Sequence, residues 1–221
     1  MSATHYPQAQ FSAPAGATDL LLVRHGESAP AEADRPFDLV DGQGDPDLAP
    51  AGHRQAELVA DRLTTAHPNH LYVTSLRRTA QTADPLATRL ALTPDVEPGL
   101  REVHLGDWEG GLYRRKVAEQ DPLVLRMRAE QRWDVIPGAE PAEQLSERIT
   151  AAVQRIAGRH PDERVVVFTH GGIIGQLFAL ASGARPMAFT GADNGSISQL
   201  VVSGETWIPR RFNDVAHLTA R

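Results

Sequence analysis

The sequence predicts an α/β fold: a three-layer α/β/α sandwich with a mostly parallel central sheet and a small covering insertion. Two observations carry that expectation. Short apolar runs of strand type alternate with segments of helical period, and in such alternation each helix covers a sheet face and returns the chain to a parallel neighbour. Two of the runs also end alike, in Val23-Arg24-His25-Gly26 and Thr169-His170-Gly171-Gly172, as strands opening onto one edge would. With 221 residues and 41% hydrophobic content, the chain has enough apolar surface for one domain with its own core.

The elements follow in order. The N-terminal residues 1–17 are rich in Ser, Ala, Pro and Gln and read as a loose tail before a single domain at 18–221. Leu20 to Val23 is a buried strand opening into a glycine turn. Residues 29–50 hold Pro, Asp, Gly and Ala without sustained period and read as a loop. From Pro50 to Ala66, Ala56, Leu58, Val59 and Leu63 recur at helical spacing, and Pro68 marks the stop. His70 to Thr74 is a second strand and Leu76 to Leu90 a second helix, which Pro85 should bend or shorten. A third strand is expected near Thr93 to Val96. Residues of about 103–139 form the insertion, with short helical pieces among Gly, Trp and Arg. Pro141 to Gly158 is a long amphipathic helix, with Leu145, Ile149, Val153 and Ile156 on one face. Arg164 to Phe168 is the strongest strand, followed by an apolar helix from Ile173 to Ala181. Ile197 to Val202 and Trp207 to Phe212 read as two strands joined near Ser203-Gly204.

Composition excludes several functions. There is no cysteine, hence no disulfide framework, thiolate metal site or cysteine nucleophile. The net charge is −6 and the basic residues are scattered, which argues against binding nucleic acid. No apolar run approaches the roughly 20 residues of a membrane-spanning helix, and the N-terminus lacks the pattern of a signal peptide. The cytoplasm is the expected location. Lys116 is the only lysine, so arginine is this protein's usual cation and each arginine is judged by its position.

Ligands of open α/β sheets bind beyond the carboxyl ends of the strands. That edge should gather His25 and His170, each followed by a glycine that lets the backbone turn and a ligand approach. Arg24 precedes His25, Arg78 opens the helix after the second strand, and Glu102 follows the third. Two histidines, two arginines and one carboxylic acid thus converge on one rim.

The residues around this rim carry a family pattern. Leu22 to Ser28 (L-V-R-H-G-E-S), Gly42 to Leu48 with Gly52 to Ala56, Ser75 to Ala83 and Leu100 to Gly110 occur in order. Pro137 to Glu140, Val165 to Gly172 and Asn213 to Leu218 complete the series. The set resembles the signature of the histidine phosphatase, or phosphoglycerate-mutase-like, superfamily. The resemblance implies that His25 is phosphorylated, that Arg24, Arg78, His170 and Gly171 hold the phosphoryl oxygens, and that Glu102 protonates the leaving alcohol. The chemistry is coherent. Fixed cations stabilise the spread charge of a phosphoryl group in flight, and arginine grips two oxygens at once. A neutral histidine is needed for attack, and neighbouring guanidinium groups disfavour its protonated form. The scheme demands no metal or other cofactor, and the histidines lie far apart in sequence without a carboxylate partner read at ligand spacing, so no metal is expected.

Some positions compete or depart. Asp107 and Glu109 contend with Glu102 for the acid role; its place before Gly106 and Trp108 favours Glu102. Arg77 contends with Arg78, whose offset from Gln81-Thr82 fits the pattern although Thr79 replaces the usual Ala. His104 reads as structural. Arg114-Arg115-Lys116 and Arg126, Arg128 and Arg132 read as solvated helix faces, with a grip on an anionic substrate tail as the alternative. Ala49 lacks the helix-capping hydroxyl often found there. Ala31 and Val103 stand about where cofactor-dependent mutases carry an Asn and an Arg for a second phosphate. The expected activity is therefore metal-independent hydrolysis of phosphomonoesters, with a small-molecule phosphate ester as partner and a homodimer left open. A 2,3-bisphosphoglycerate-dependent mutase is the first rival. A non-catalytic phosphate-binding module is the rival of another class.

Overall fold

The computed structural model describes residues 6–219. Of the tail expected at 1–17, residues 1–5 lie outside the described residues, and residues 6–16 are exposed without strand or helix. The strands are β1 (Thr18–Arg24), β2 (Leu39–Val40), β3 (Gln43–Gly44), β4 (His70–Val73), β5 (Asp95–Val96), β6 (Arg164–Thr169), β7 (Ile197–Ser203) and β8 (Thr206–Asp214). The helices are α1 (Pro50–Thr64), α2 (Arg77–Leu90), α3 (Leu112–Ala118), α4 (Pro122–Glu130), α5 (Ala142–Arg159) and α6 (Gly171–Ser182).

Six strands form one sheet in the order β5-β4-β6-β1-β7-β8. β5, β4, β6 and β1 pair in parallel, while β7 and β8 complete the far edge antiparallel. Side-chain alternation sorts the central strands between two cores. Leu21, Val23, Val166 and Phe168 face α1 and α2, where Val59, Leu63, Ala83 and Leu86 cover them. Leu20, Leu22, Val165 and Val167 face α5 and α6, where Ile149, Val153, Ile173 and Leu177 lie. The same core takes in Trp108, Val124, Met127 and Trp133, so residues 103–139 are packed onto this layer. The three-layer sandwich is therefore as expected.

Three expectations change. Residues 29–50 are not all loop: β2 and β3 form a hairpin whose Asp41 and Gly42 have φ of +48° and +80°. A two-residue Asp-Gly turn with both φ positive matches the right-handed twist of the strands it joins. Pro85 does not shorten α2, which runs on to Leu90. Its missing N–H forfeits one bond, while buried Ala83, Leu86 and Ala87 hold the helix against the sheet. The third strand shrinks to the two residues of β5, both exposed. Among the described residues no helix is long and apolar enough to cross a membrane.

Candidate active site

β1 and β6 are parallel neighbours with Arg24 opposite Thr169, so the residues that follow each strand emerge side by side. The His25 amide donates to the Thr169 carbonyl at 3.0 Å, and the rings of His25 and His170 meet edge to face at 5.2 Å. His25 is 5% exposed and His170 fully buried. The His25 Nδ1 lies 2.7 Å from the Gly26 carbonyl, which can only accept, so Nδ1 carries the hydrogen. Nε2 is left with its lone pair, to which Arg78 Nε donates at 3.2 Å. Burial first, then the charges of Arg78 and Arg24, hold the His25 pKa well below its ordinary 6.5. The same order of causes, burial and then Arg78, lowers that of His170. His170 Nε2 bonds Thr74 Oγ1 at 3.0 Å.

Arg77 and Arg78 separate cleanly. Arg77 turns outward, its Nε 2.8 Å from the buried carboxylate of Asp45. Arg78 is 7% exposed and donates to the Gly44 carbonyl at 2.9 Å as well as to His25. Burial lowers its pKa to about 10, which leaves it charged at neutral pH. Arg24 donates through Nη1 to the Ala192 carbonyl. The loop bearing Ala192 is clamped where Asp193 and Asn213 bond each other twice, at 2.7 and 2.8 Å, and Asn194 bonds the His25 carbonyl at 2.9 Å. The Asn213-Asp214 block thereby acts on the site from a distance.

Glu102 reaches the same cleft. Its carboxylate accepts from the Val103 amide at 3.0 Å and the Gly172 amide at 3.3 Å, and its charge favours the protonated forms of Arg24 and Arg78. Gln43 Nε2 donates to the Glu102 carbonyl at 2.6 Å, and Arg148 on α5 donates to the carbonyls of Gly99 and Arg101 while pairing with Glu140 at 2.7 Å. Of the competing acids, Asp107 is exposed. Glu109 lines the cleft, but both its oxygens are taken by backbone amides, of Leu105 and Gly44, each at 2.8 Å. His104 accepts from the Gly106 amide at 3.1 Å, a structural bond.

The glycines work differently from expectation. Neither Gly26 nor Gly171 has a positive φ. A methyl on Gly26 would strike the Gly52 carbonyl, one on Gly171 would press on the Arg24 guanidinium, and one on Gly172 would overlap the Glu102 carboxylate. They let protein groups close on one another.

Arg114 is exposed, as expected of a solvated helix face, but its guanidinium also reaches the cleft. From α3 its guanidinium donates to Ser28 Oγ and the Ala29 carbonyl, each at 2.7 Å, and lies 5.2 Å from the Phe37 ring. It shares the cleft with Arg24, His25, Arg78, Glu102, Tyr113 and Trp133, a cavity of about 230 Å³. Its charge adds to those lowering the His25 pKa. Val103 meanwhile is 1% exposed in the core, and Arg114 brings a cation to the cleft from another element. Arg115 and Lys116 do pair outward, with Glu119 and Asp121.

Fold and rim together define a class, an α/β enzyme that handles phosphoryl groups with buried histidines and arginines. The chain belongs to the histidine phosphatase superfamily (branch 1), whose family model matches residues 20–215. It is 35% identical over 207 residues to phosphoglycerate mutase-like protein 4 of Arabidopsis thaliana, covering 90% of this chain and 86% of that one. It is 33% identical over 211 residues to a metal-independent phosphoserine phosphatase of the same plant, covering 92% and 84%. A mycobacterial glucosyl-3-phosphoglycerate phosphatase superposes with a TM-score of 0.74 at 29% identity, over 88% of this chain and 98% of the other. The enzyme class read from the sequence, a phosphatase of the histidine phosphatase type acting on phosphomonoesters, stands on this membership.

Proposed function

We propose that the protein hydrolyses small phosphomonoesters that carry a second anionic group, through a phosphohistidine on His25. The observation that carries this reading is the oriented His25 ring: Nδ1 is tied to the Gly26 carbonyl and the Nε2 lone pair faces the cleft beside Arg78. Arg24 Nε and His170 Nδ1 are buried and, among the described residues, have no hydrogen-bond partner. In the tautomer whose Nε2 accepts from the Thr74 hydroxyl, His170 Nδ1 carries a hydrogen, and both donors then suit phosphoryl oxygens. Gly171 opens α6, whose N-terminal end favours an anion.

In the first step His25 Nε2 bonds to phosphorus as the ester P–O bond breaks, and Glu102 gives its proton to the departing alkoxide. In the second, water attacks the phosphohistidine, Glu102 takes its proton, and the N–P bond breaks to return neutral His25. No step needs a metal. Arg114 lies beyond the phosphoryl pocket, where it would meet a carboxylate on the substrate. Phosphoserine and glucosyl-3-phosphoglycerate, named for two relatives, are both phosphate esters bearing a carboxylate.

The test is to quench the enzyme during turnover of a radiolabelled ester. Protein-bound label should survive alkali and be lost in acid, as for a phosphoramidate, and His25→Ala should retain none; label retained by that variant removes His25 as nucleophile. Arg114 also gives the mutase reading a foothold, because a mutase needs a cation for its second phosphate. Enzyme given 3-phosphoglycerate with a trace of 2,3-bisphosphoglycerate decides it. Free phosphate should outrun 2-phosphoglycerate, and the reverse makes the protein a mutase.

A further inference from the structure

At the opposite pole from the cleft, where β4 and β6 begin, lies a second cluster of chemically active side chains. Among the described residues, one group of histidines and carboxylates brings its ligand atoms within 4.8 Å of one another: His70, His160 and Glu163. His160 Nδ1 lies 2.8 Å and His70 Nε2 3.3 Å from the same oxygen, Oε2 of Glu163. We propose that these three side chains form a binding site for a divalent transition-metal ion, zinc being the best match, which acts as a structural clamp.

The donor set selects the ion. Two imidazole nitrogens and one carboxylate oxygen suit zinc and its neighbours, whereas calcium and magnesium call for oxygen ligands. Tetrahedral zinc bonds of about 2.0–2.1 Å place ligand atoms about 3.3 Å apart, close to the spacing already present around Oε2. Small rotations of three side chains admit an ion at their centre. The open side at the half-exposed His70 leaves the fourth position to water.

The supporting shell is built as well. His160 is 6% exposed, and its Nε2 lies 2.9 Å from the hydroxyl of buried Tyr72. A ligating imidazole needs a partner for its other nitrogen to set its tautomer and ring direction. When Nδ1 binds metal, Nε2–H donates to Tyr72; when it does not, Nδ1–H donates to Glu163 and Nε2 accepts from Tyr72. Both states keep the hydrogen bond between Tyr72 and His160.

The backbone under the ligands is constrained. The Thr18 hydroxyl donates to the His160 carbonyl at 2.7 Å. The Glu163 amide bonds that same carbonyl across a turn, and Gly16 donates to Asp162 within it at 2.6 Å. His70 is fixed by pairing opposite Val165. An ion here would join the end of α5, the start of β6 and the start of β4. The six residues of β6, at about 3.3 Å each, put it roughly 20 Å from the cleft. The clamp is thus separate from catalysis. His160 and Glu163 stand three apart in sequence, a ligand spacing that the sequence reading passed over; His70 joins them only through the sheet.

Calorimetric titration of the chelator-treated full chain with zinc chloride at pH 7.5 tests the proposal. One equivalent should bind to the wild type and to His25→Ala, none to His70→Asn, and Glu163→Gln should bind more weakly. Cobalt should give the visible absorption of a four-coordinate site, lost in His70→Asn. Chelating the zinc-loaded protein should lower its thermal midpoint and leave phosphatase turnover unchanged, and His70→Asn should turn over like the wild type. Failure of the wild type to bind, or binding kept in His70→Asn and lost in His25→Ala, overturns the proposal.

Discussion

Replacing Arg114 with Met keeps the packing of the side-chain stem and removes the charge. In the structure this guanidinium is held by the Ser28 hydroxyl and the Ala29 carbonyl, both neutral acceptors at 2.7 Å. Among the described residues no carboxylate pairs with it directly and Glu27 acts only at longer range, so its charge is available to a ligand in the cleft. A charge-assisted contact to an anion is worth about 1.5–3 kcal/mol, equivalent to roughly 10- to 150-fold in binding. Arg114 is exposed, and water screening favours the lower half, about 10- to 30-fold. The assay compares p-nitrophenyl phosphate, which has no second anion, with phosphoserine and phosphoglycerate in steady-state kinetics. For the carboxylate-bearing esters KM should rise by about that factor with kcat changed less. For p-nitrophenyl phosphate both constants should stay within about threefold, because the phosphoryl contacts of Arg24 and Arg78 remain. An unchanged thermal midpoint excludes collapse of the loop at Ser28. Equal losses on both kinds of substrate would refute the reasoning, since Arg114 would then act on His25 or on the fold.

Glu102→Gln removes the transferable proton but keeps the side chain's size, so alkyl phosphates should lose activity by about 100-fold or more while p-nitrophenyl phosphate loses little. Equal loss on both ends the acid assignment. Gly172→Ala should reproduce that selective loss in milder form, because the added methyl would overlap the Glu102 carboxylate while alanine favours α6; an unaffected alkyl-phosphatase rate would show that Glu102 need not sit where it does. With the His25 pKa held below 6.5 by burial and by Arg78 and Arg24, kcat/KM should not fall through protonation of His25 as the pH drops to about 6.5. An apparent pKa of 6.5 or above in the acid limb, traced to His25 by titration of its ring, contradicts this. For stability the sign is the same. The unfolded chain takes up protons at His25 and His170 below about pH 6.5 that the folded chain refuses. Their contribution is complete above that pH and declines as pH falls toward the folded values, so the thermal midpoint should drop in acid. His170→Asn should flatten that drop.

Much of the fold was legible because its signals are local. The alternate residues of Leu20 to Val23 and of Val165 to Phe168 face opposite cores, as buried parallel strands require, and α5 runs from Ala142 to Arg159 on the stripe of Leu145, Ile149, Val153 and Ile156. His25 and His170 were readable as neighbours because each directly follows a strand, and topology brings strand ends to one edge. The hairpin at Asp41-Gly42 had its signal in the sequence, yet each arm has only two residues, too few to show a period.

What the chain's order determined by itself was which residues end strands, which open helices, and hence that Arg24, His25, Arg78, Glu102 and His170 share one rim. Only the tertiary structure decided which groups then meet. It turned Arg77 out to Asp45 and Arg78 in to His25, folded α3 back so that Arg114 enters the cleft, and set His70 against His160 and Glu163 across a pair of strands. It also favours neutral His25, through burial and the guanidinium groups of Arg78, Arg24 and Arg114. The division has one physical cause. Secondary structure depends on neighbours a few residues apart, whose spacing the sequence displays. Contacts, burial and the resulting proton affinities depend on groups tens of residues apart, which come together only when the layers pack.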